Sequence, residues 1–297
     1  MNLADYMNRP GDFLKGALLE EIDIISSFCT GEVKDMDVTV HEIRKSIKKF
    51  RAILRMIRNG ISDDEYKTEN KLFRDLNREL SEARNIKIYH TCMIDLKERL
   101  PFDAFEKEMD KSIVEIGNEL TSYRDQLVEN KIFSQIFIRT NEAKVRINNI
   151  ELKTDDFGLM KNGLQKIYKR VRKFSFLIQE DTSVEYLHEY RKNIKYLWNQ
   201  LLILQPVFER LLKAYAKSLK NLSDLLGDHR DYVLFLDYLE YNEFFALTPE
   251  QISMIREIIS EENERRLIQA QKLSLKIFID KPGYFADRLE QFWNAEH

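Results

Sequence analysis

The chain has 297 residues, 43% of them hydrophobic and 33% charged, with only 9 Gly and 5 Pro. So few turn formers argue against a many-stranded β protein and point to a helix-rich, soluble chain, large enough for one big domain or two small ones. No apolar run reaches the length of a membrane span, the start Met-Asn-Leu-Ala-Asp-Tyr lacks a signal peptide's basic and apolar blocks, and Cys29 and Cys92 make no C-x-x-C pair; a cytoplasmic protein with reduced thiols and no membrane partner is expected.

In chain order, apolar periodicity predicts helices near 10–28, 39–59, 64–82, 85–99, 103–150, 157–179, 183–205, 208–226, 229–242, 249–280 and 283–294. Thr39 to Glu42 reads as a capping box, as does Thr248-Pro249-Glu250-Gln251 with Pro at the first helical position. Asp63-Asp64, Leu100-Pro101, residues 152–158, Gln205-Pro206 and Lys281-Pro282-Gly283 supply breaks.

The helix near 39–59 carries the strongest signal. Val40, Ile43, Ile47, Phe50, Leu54 and Ile57 alternate at three and four residues, and His41, Arg44, Lys48, Arg51, Arg55 and Arg58 follow one position behind. A helix with that spacing has a core seam and a cationic seam side by side. An ordinary solvated face mixes signs, yet these six positions hold no acid, and like charges four apart are mildly destabilising. At about 1.5 Å per residue the rail is roughly 25 Å long, which suits an extended polyanion better than a single phosphate.

A second copy lies 147 residues on, with Leu187, Tyr190, Ile194, Leu197, Leu201 and Leu204 as its core seam and His188, Arg191 and Lys195 alongside. A third basic segment runs beside the seam Leu164, Ile167, Val171, Phe174 and Ile178: Lys166, Arg170 and Lys173 on one flank, Tyr168 and Arg172 on the other. Residues 41–58 hold seven Lys/Arg and one acid, 161–173 six and none, and 188–195 three and one. These segments total +14 within a net charge of −3, so the remainder carries −17. Such concentration favours a focused anion site over a broadly basic nucleic-acid surface.

The halves align further. Leu72, Leu76, Leu80, Arg84 and Asn85 match Ser218, Leu222, Leu226, Arg230 and Asp231 at an offset of 146, and Pro101-Phe102-Asp103 falls near Thr248-Pro249. An internal duplication follows, and with it an all-α fold: two four-helix bundles related by a pseudo-twofold axis, as one domain over 10–294 made of repeats at about 10–150 and 157–294.

His41 and His188 are each followed by Glu, which on a helix points about 100° away, and no H-E-x-x-H occurs. Phosphate contact is the favoured role; a buried hydrogen-bonded histidine or a zinc ligand are the others. No phosphate-binding, dinucleotide-binding or nucleophile-elbow motif is present, and a non-enzymatic role without metal or cofactor is expected.

The spacing His41-x2-Arg44-x3-Lys48-Lys49-x-Arg51-x3-Arg55, its partner His188-x2-Arg191-Lys192-x2-Lys195, and Leu226-Gly227-Asp228-His229-Arg230-Asp231 resemble the CHAD domain, the conserved histidine alpha-helical domain, over roughly 10–290. The resemblance implies paired helical bundles that bind inorganic polyphosphate in a basic central cavity. Together with the basic segments read above, it gives an expected binding set of His41, Arg44, Lys45, Lys48, Arg51, Arg55, Lys166, Arg170, Lys173, His188, Arg191, Lys192 and Lys195, with Arg58, Arg84, Arg172 and Arg230 as secondary contacts. Ser81 and Asn85 stand where the family shows Gly and Asp. Trp198, followed by Leu202 and Gln205, replaces the continuing rail and shortens it. The first half and residues 161–173 are therefore expected to carry most of the binding. Single-stranded nucleic acid is the alternative partner, and a phosphohydrolase the remoter one.

Overall fold

The computed structural model describes residues 9–31, 35–99, 106–242 and 247–295, within which the chain forms eleven α-helices and no strand. In order these are α1 (Pro10–Thr30), α2 (Met36–Met56), α3 (Asp63–Glu79), α4 (Ser81–Arg99), α5 (Glu106–Glu129), α6 (Ile132–Asn148), α7 (Gly158–Leu177), α8 (Val184–Leu204), α9 (Glu209–Tyr241), α10 (Pro249–Ile277) and α11 (Pro282–Ala295). None of these is long and apolar enough to cross a membrane. Both cysteines are free, and burial pushes each thiol up to about 12.

Several boundaries differ from the sequence expectation, each for a local reason. Asp35 caps α2, accepting from the N–H groups of Asp37 (2.8 Å) and Val38 (3.2 Å), so the helix starts a turn early and no capping box forms at Thr39. Thr39 lies inside that turn and donates its hydroxyl to the Asp35 carbonyl at 2.9 Å. The box at Thr248 and Gln251 does form, and an unforeseen one joins Ser62 to Glu65. The single helix expected over 103–150 is two, because Lys131 adopts left-handed backbone at φ 52 between α5 and α6. The start of that segment, with Pro101-Phe102-Asp103, lies outside the described residues. Conversely, the break expected at Gly227-Asp228 is absent: α9 runs unbroken for 33 residues. At an offset of 146, the first half interrupts its helix at Leu80 between α3 and α4.

The apolar seams read from sequence are the core. Val40, Ile43, Ile47, Phe50 and Leu54 of α2 and Ile57 just beyond its end are buried, and so are Leu187, Tyr190, Ile194, Leu197, Leu201 and Leu204 of α8. Two cores exist, and they divide the molecule differently from its sequence halves. The larger gathers side chains from α1, α2, α3, α6, α7, α8 and α11, joined by parts of α9 and α10. The smaller is built by α4, α5, the C-terminal part of α9 and the N-terminal part of α10.

Two close approaches set the basic helices in place. Gly163 of α7 lies so near α2 that a Cβ there would sit 2.1 Å from the Met56 carbonyl oxygen, which only glycine permits. The buried Gln200 amide of α8 donates to the Ala52 carbonyl of α2 at 3.0 Å. With α4 and α9 packed together and each packed on one of this pair, α2, α8, α9 and α4 close a ring of four helices.

Candidate functional site

Where α2 meets α8, their cationic seams converge. The Lys48 ammonium is crowded by Lys195, Arg44, Arg191 and Arg84, in that order of influence. Arg44 in turn feels Arg84 of α4 and Arg230 of α9. Six cations from four helices thus meet on one side of the ring: Arg44, Lys48, Arg84, Arg191, Lys195 and Arg230. All six are half-buried.

The two central arginines are held differently. Arg44 donates through Nη1 to the Asn77 carbonyl (2.6 Å) and to Ser81 Oγ (3.2 Å). The Arg191 guanidinium instead lies against Gly227, where a Cβ would come within 3.0 Å of Nη2. Position 81 supplies a hydroxyl partner where position 227 supplies clearance, so Ser81 keeps Arg44 anchored by a hydrogen bond. The Nε groups of both arginines are buried without a hydrogen-bond partner.

Among the described residues, Arg84 pairs with Asp231 at 3.6 Å, but Arg44, Lys48, Arg191, Lys195 and Arg230 have no carboxylate within ion-pair distance. Burial, reinforced by Arg191, brings Lys195 down to about 8 against the opposing pull of Asp231. Lys48 is held well below the ordinary lysine value by burial and four neighbouring cations. Burial also lowers Arg191, and takes Arg44 down to about 10. Such groups are poorly hydrated, mutually repelling and short of a direct ion-pair partner, and an anion would relieve all three conditions.

The histidines stand at the N-terminal side of this cluster, both exposed. Burial of part of each ring holds both below the ordinary value, aided by Lys48 and Arg84 at His41 and by Arg230 and Lys192 at His188. Lys45 and Lys192 pair with Glu42 (2.8 Å) and Glu189 one turn earlier, so both ammonium groups already have a counter-charge. No three His, Cys, Asp or Glu side chains among the described residues gather as a metal site would need.

The rest of the expected set is elsewhere. Arg51 and Arg55 share the Asn70 side-chain oxygen at 3.3 and 3.0 Å, and Arg55 lies 4.2 Å over the buried Tyr196 ring. Arg58 lies 4.6 Å over Tyr66. The C-terminal stretch of the rail is therefore engaged by α3 and α8. On α7, Lys166, Arg170 and Lys173 are exposed, and none ranks among the charges that act most on the cluster. Arg172 stacks on Phe176 at 4.9 Å, and Lys161 pairs with Asp287 and Glu290 of α11. Trp198 is half-buried against the larger core.

Beside the cluster opens a cavity of about 660 Å³ between α2, α4, α5, α9 and α10, reached by His41 and Arg84. Its charges balance, with Asp37, Glu42, Asp95, Asp228 and Asp231 facing Arg84, Lys87, Arg99, Arg124 and Arg266. They are also mutually paired: Asp37 with Lys87 (3.1 Å) and Arg124, Arg99 with Asp95 (3.0 Å) and Glu262, Arg266 with Glu262 (3.0 Å). The uncompensated charge lies in the cluster, and the cavity is its neutral annex. Sequence reasoning did not foresee the anchors Asn70 and Asn77 on α3 or the acids of α9. The aspartates flanking Gly227 and Arg230 in the repeated element were the available signal.

The CHAD-domain profile matches residues 23–240. No curated protein sequence matches the chain. Among solved structures, PptA from Streptomyces chartreusis superposes with a TM-score of 0.66 at 11% identity, covering 91% of this chain and 99% of its own. The CHAD domain from the plant Ricinus communis gives 0.58 at 15% identity, covering 96% of this chain and 91% of its own. At such identities structural likeness speaks for the fold alone, but the profile match takes in well over half of the sequence, including both basic helices and the Leu226–Asp231 stretch: this protein belongs to the CHAD-domain family.

Proposed function

We propose that this protein binds inorganic polyphosphate at the α2–α8 cluster, as a non-catalytic binding module formed by a single domain of two repeats over about 10–294. The observation that carries this reading is the gathering of Arg44, Lys48, Arg191, Lys195 and Arg230 without an ion-pair partner among the described residues. Arginine and lysine donors would pair with successive phosphate oxygens, and the released counterions would make affinity fall steeply with salt. His41 and His188 flank the entry, and Arg84 joins the binding set. Lys45, Lys192, Arg51, Arg55 and Arg58, already engaged within the protein, contribute less than the cluster.

Single-stranded nucleic acid is disfavoured at this place. Binding it calls for open aromatic faces, whereas Tyr168 is stacked on Phe285 in the core, Tyr196 is buried beneath Arg55, and Trp198 packs on the larger core. Competition titrations at several salt concentrations test the proposal, with long-chain polyphosphate set against single-stranded RNA of equal charge. Polyphosphate should prevail by orders of magnitude; equal competition by RNA would overturn the reading.

A further inference from the structure

The cluster is electrostatically one-sided. On α9, Asp224, Asp228 and Asp231 recur at four and three residues and so share one face. Asp231 holds Arg84 at 3.6 Å, Asp231 and Asp228 act on Arg191, and Asp231 and Asp224 act on Lys195. Offset by 146, the first half has Arg78, Glu82 and Asn85 at these positions, so only one acid remains there. The charges acting most on Arg44 and Lys48 are all cations. One flank thus faces three carboxylates of α9, whereas the other has only Glu82 at the matching positions.

We propose that the aspartate face of α9, with Asp231 at its centre, is a built-in competitor that sets the chain-length selectivity of the anion site. This rests on the polyphosphate reading above and refines it. An entering phosphate must contend with Asp231 for Arg84 and is repelled by Asp228 and Asp224 as it nears Arg191 and Lys195. It is therefore seated first on the Arg44 and Lys48 flank. A short oligophosphate gains only that flank. A long chain spans both flanks, and its many charges outweigh the three carboxylates. The stripe accordingly suppresses binding of short phosphates more than of long ones, a form of discrimination by repulsion.

The test is calorimetric titration of the full chain with tripolyphosphate and with long-chain polyphosphate at fixed salt, using wild type, Asp231→Asn and Asp228→Asn. Each substitution removes a charge while keeping side-chain size, and circular dichroism checks the fold. Tripolyphosphate affinity should rise about tenfold in Asp231→Asn, the scale expected for one nearby, partly screened charge, while the long chain gains less. The preference for length should shrink in Asp228→Asn as well. An unchanged ratio of the two affinities overturns the proposal. Loss of affinity for both chains also overturns it, making Asp231 a positioning residue for Arg84. A wild type that binds neither phosphate overturns the site reading itself, an outcome separate from either of these.

Discussion

Lys195 of α8 is the charge that acts most strongly on Lys48 of α2, and among the described residues neither ammonium has a carboxylate within ion-pair distance. Two like charges brought together in a folded interior need a reason outside the fold. That reason also makes the pair's behaviour measurable.

The first prediction concerns pH. An anion favours the charged lysines, so binding raises a Lys195 value that starts at about 8 and a Lys48 value shifted in the same direction. Protons are taken up on binding, and affinity should fall as pH rises through 8, by up to about tenfold per pH unit for each lysine that must be charged. The free protein behaves in the opposite sense. Between about 8 and the ordinary 10.5, the unfolded chain holds the Lys195 proton more tightly than the folded one, so stability rises with pH in that window. Calorimetry in buffers of different ionisation enthalpy measures the uptake; a pH-independent affinity from 7 to 9.5 would contradict it.

The second concerns Lys48 directly. Replacing it with Met removes a poorly hydrated, unpaired cation and keeps the side chain's length. Stability should rise by about 1–2 kcal/mol while polyphosphate affinity falls, as when an unfavourable buried charge gives way to an apolar residue. Chemical denaturation and binding titration on the same variant read both effects. A variant that loses stability would show that Lys48 has a partner in the fold.

Third, Gly227→Ala separates helix propensity from site geometry. Alanine within a right-handed helix is favoured over glycine by about 1 kcal/mol. Its Cβ, however, would meet Arg191 Nη2 at 3.0 Å, and the flexible guanidinium must shift by a few tenths of an ångström. Thermal stability should hold or increase while polyphosphate affinity drops several-fold. Equal affinity in mutant and wild type would mean that Arg191 is not anchored against α9 for binding.

Reversing Arg44 and Arg191 together to Glu should weaken long-chain binding by at least about two orders of magnitude and flatten its salt dependence, with helicity preserved. By contrast, Lys166→Gln, Arg170→Gln and Lys173→Gln combined should leave short-chain affinity unchanged, because these exposed side chains stand apart from the cluster. A large loss of short-chain binding in this triple variant would place α7 at the site.

Much of this was legible in the sequence because helices announce themselves by period. The seams of α2 and α8 are buried as their spacing requires, and Arg44, Lys48, Arg191 and Lys195 sit together as matching positions on packed helices. What the sequence concealed depends on partners distant along the chain. Nothing local distinguishes Arg51 and Arg55 from Arg44, yet Asn70 and Tyr196 occupy them. Nor does composition reveal that Gly227 stands inside a continuous helix: its purpose is the guanidinium of a residue 36 positions earlier, and a lone glycine beside an aspartate otherwise reads as a turn.

The unbroken course of α9 has a consequence for how the molecule comes apart. Leu212, Leu219, Leu222 and Leu226 lie in the larger core, and Tyr232, Phe235 and Leu239 in the smaller, on one rod about 50 Å long. α10 links the same two cores with Ala270 and Ile277 at one end and Ile255 and Ile259 at the other. Neither core can melt without fraying a helix that the other still holds, so heating should give a single cooperative transition. The interruptions at Leu80 and Lys131 then serve as elbows in a jointly unfolding body, where bending is concentrated, rather than as seams along which it divides.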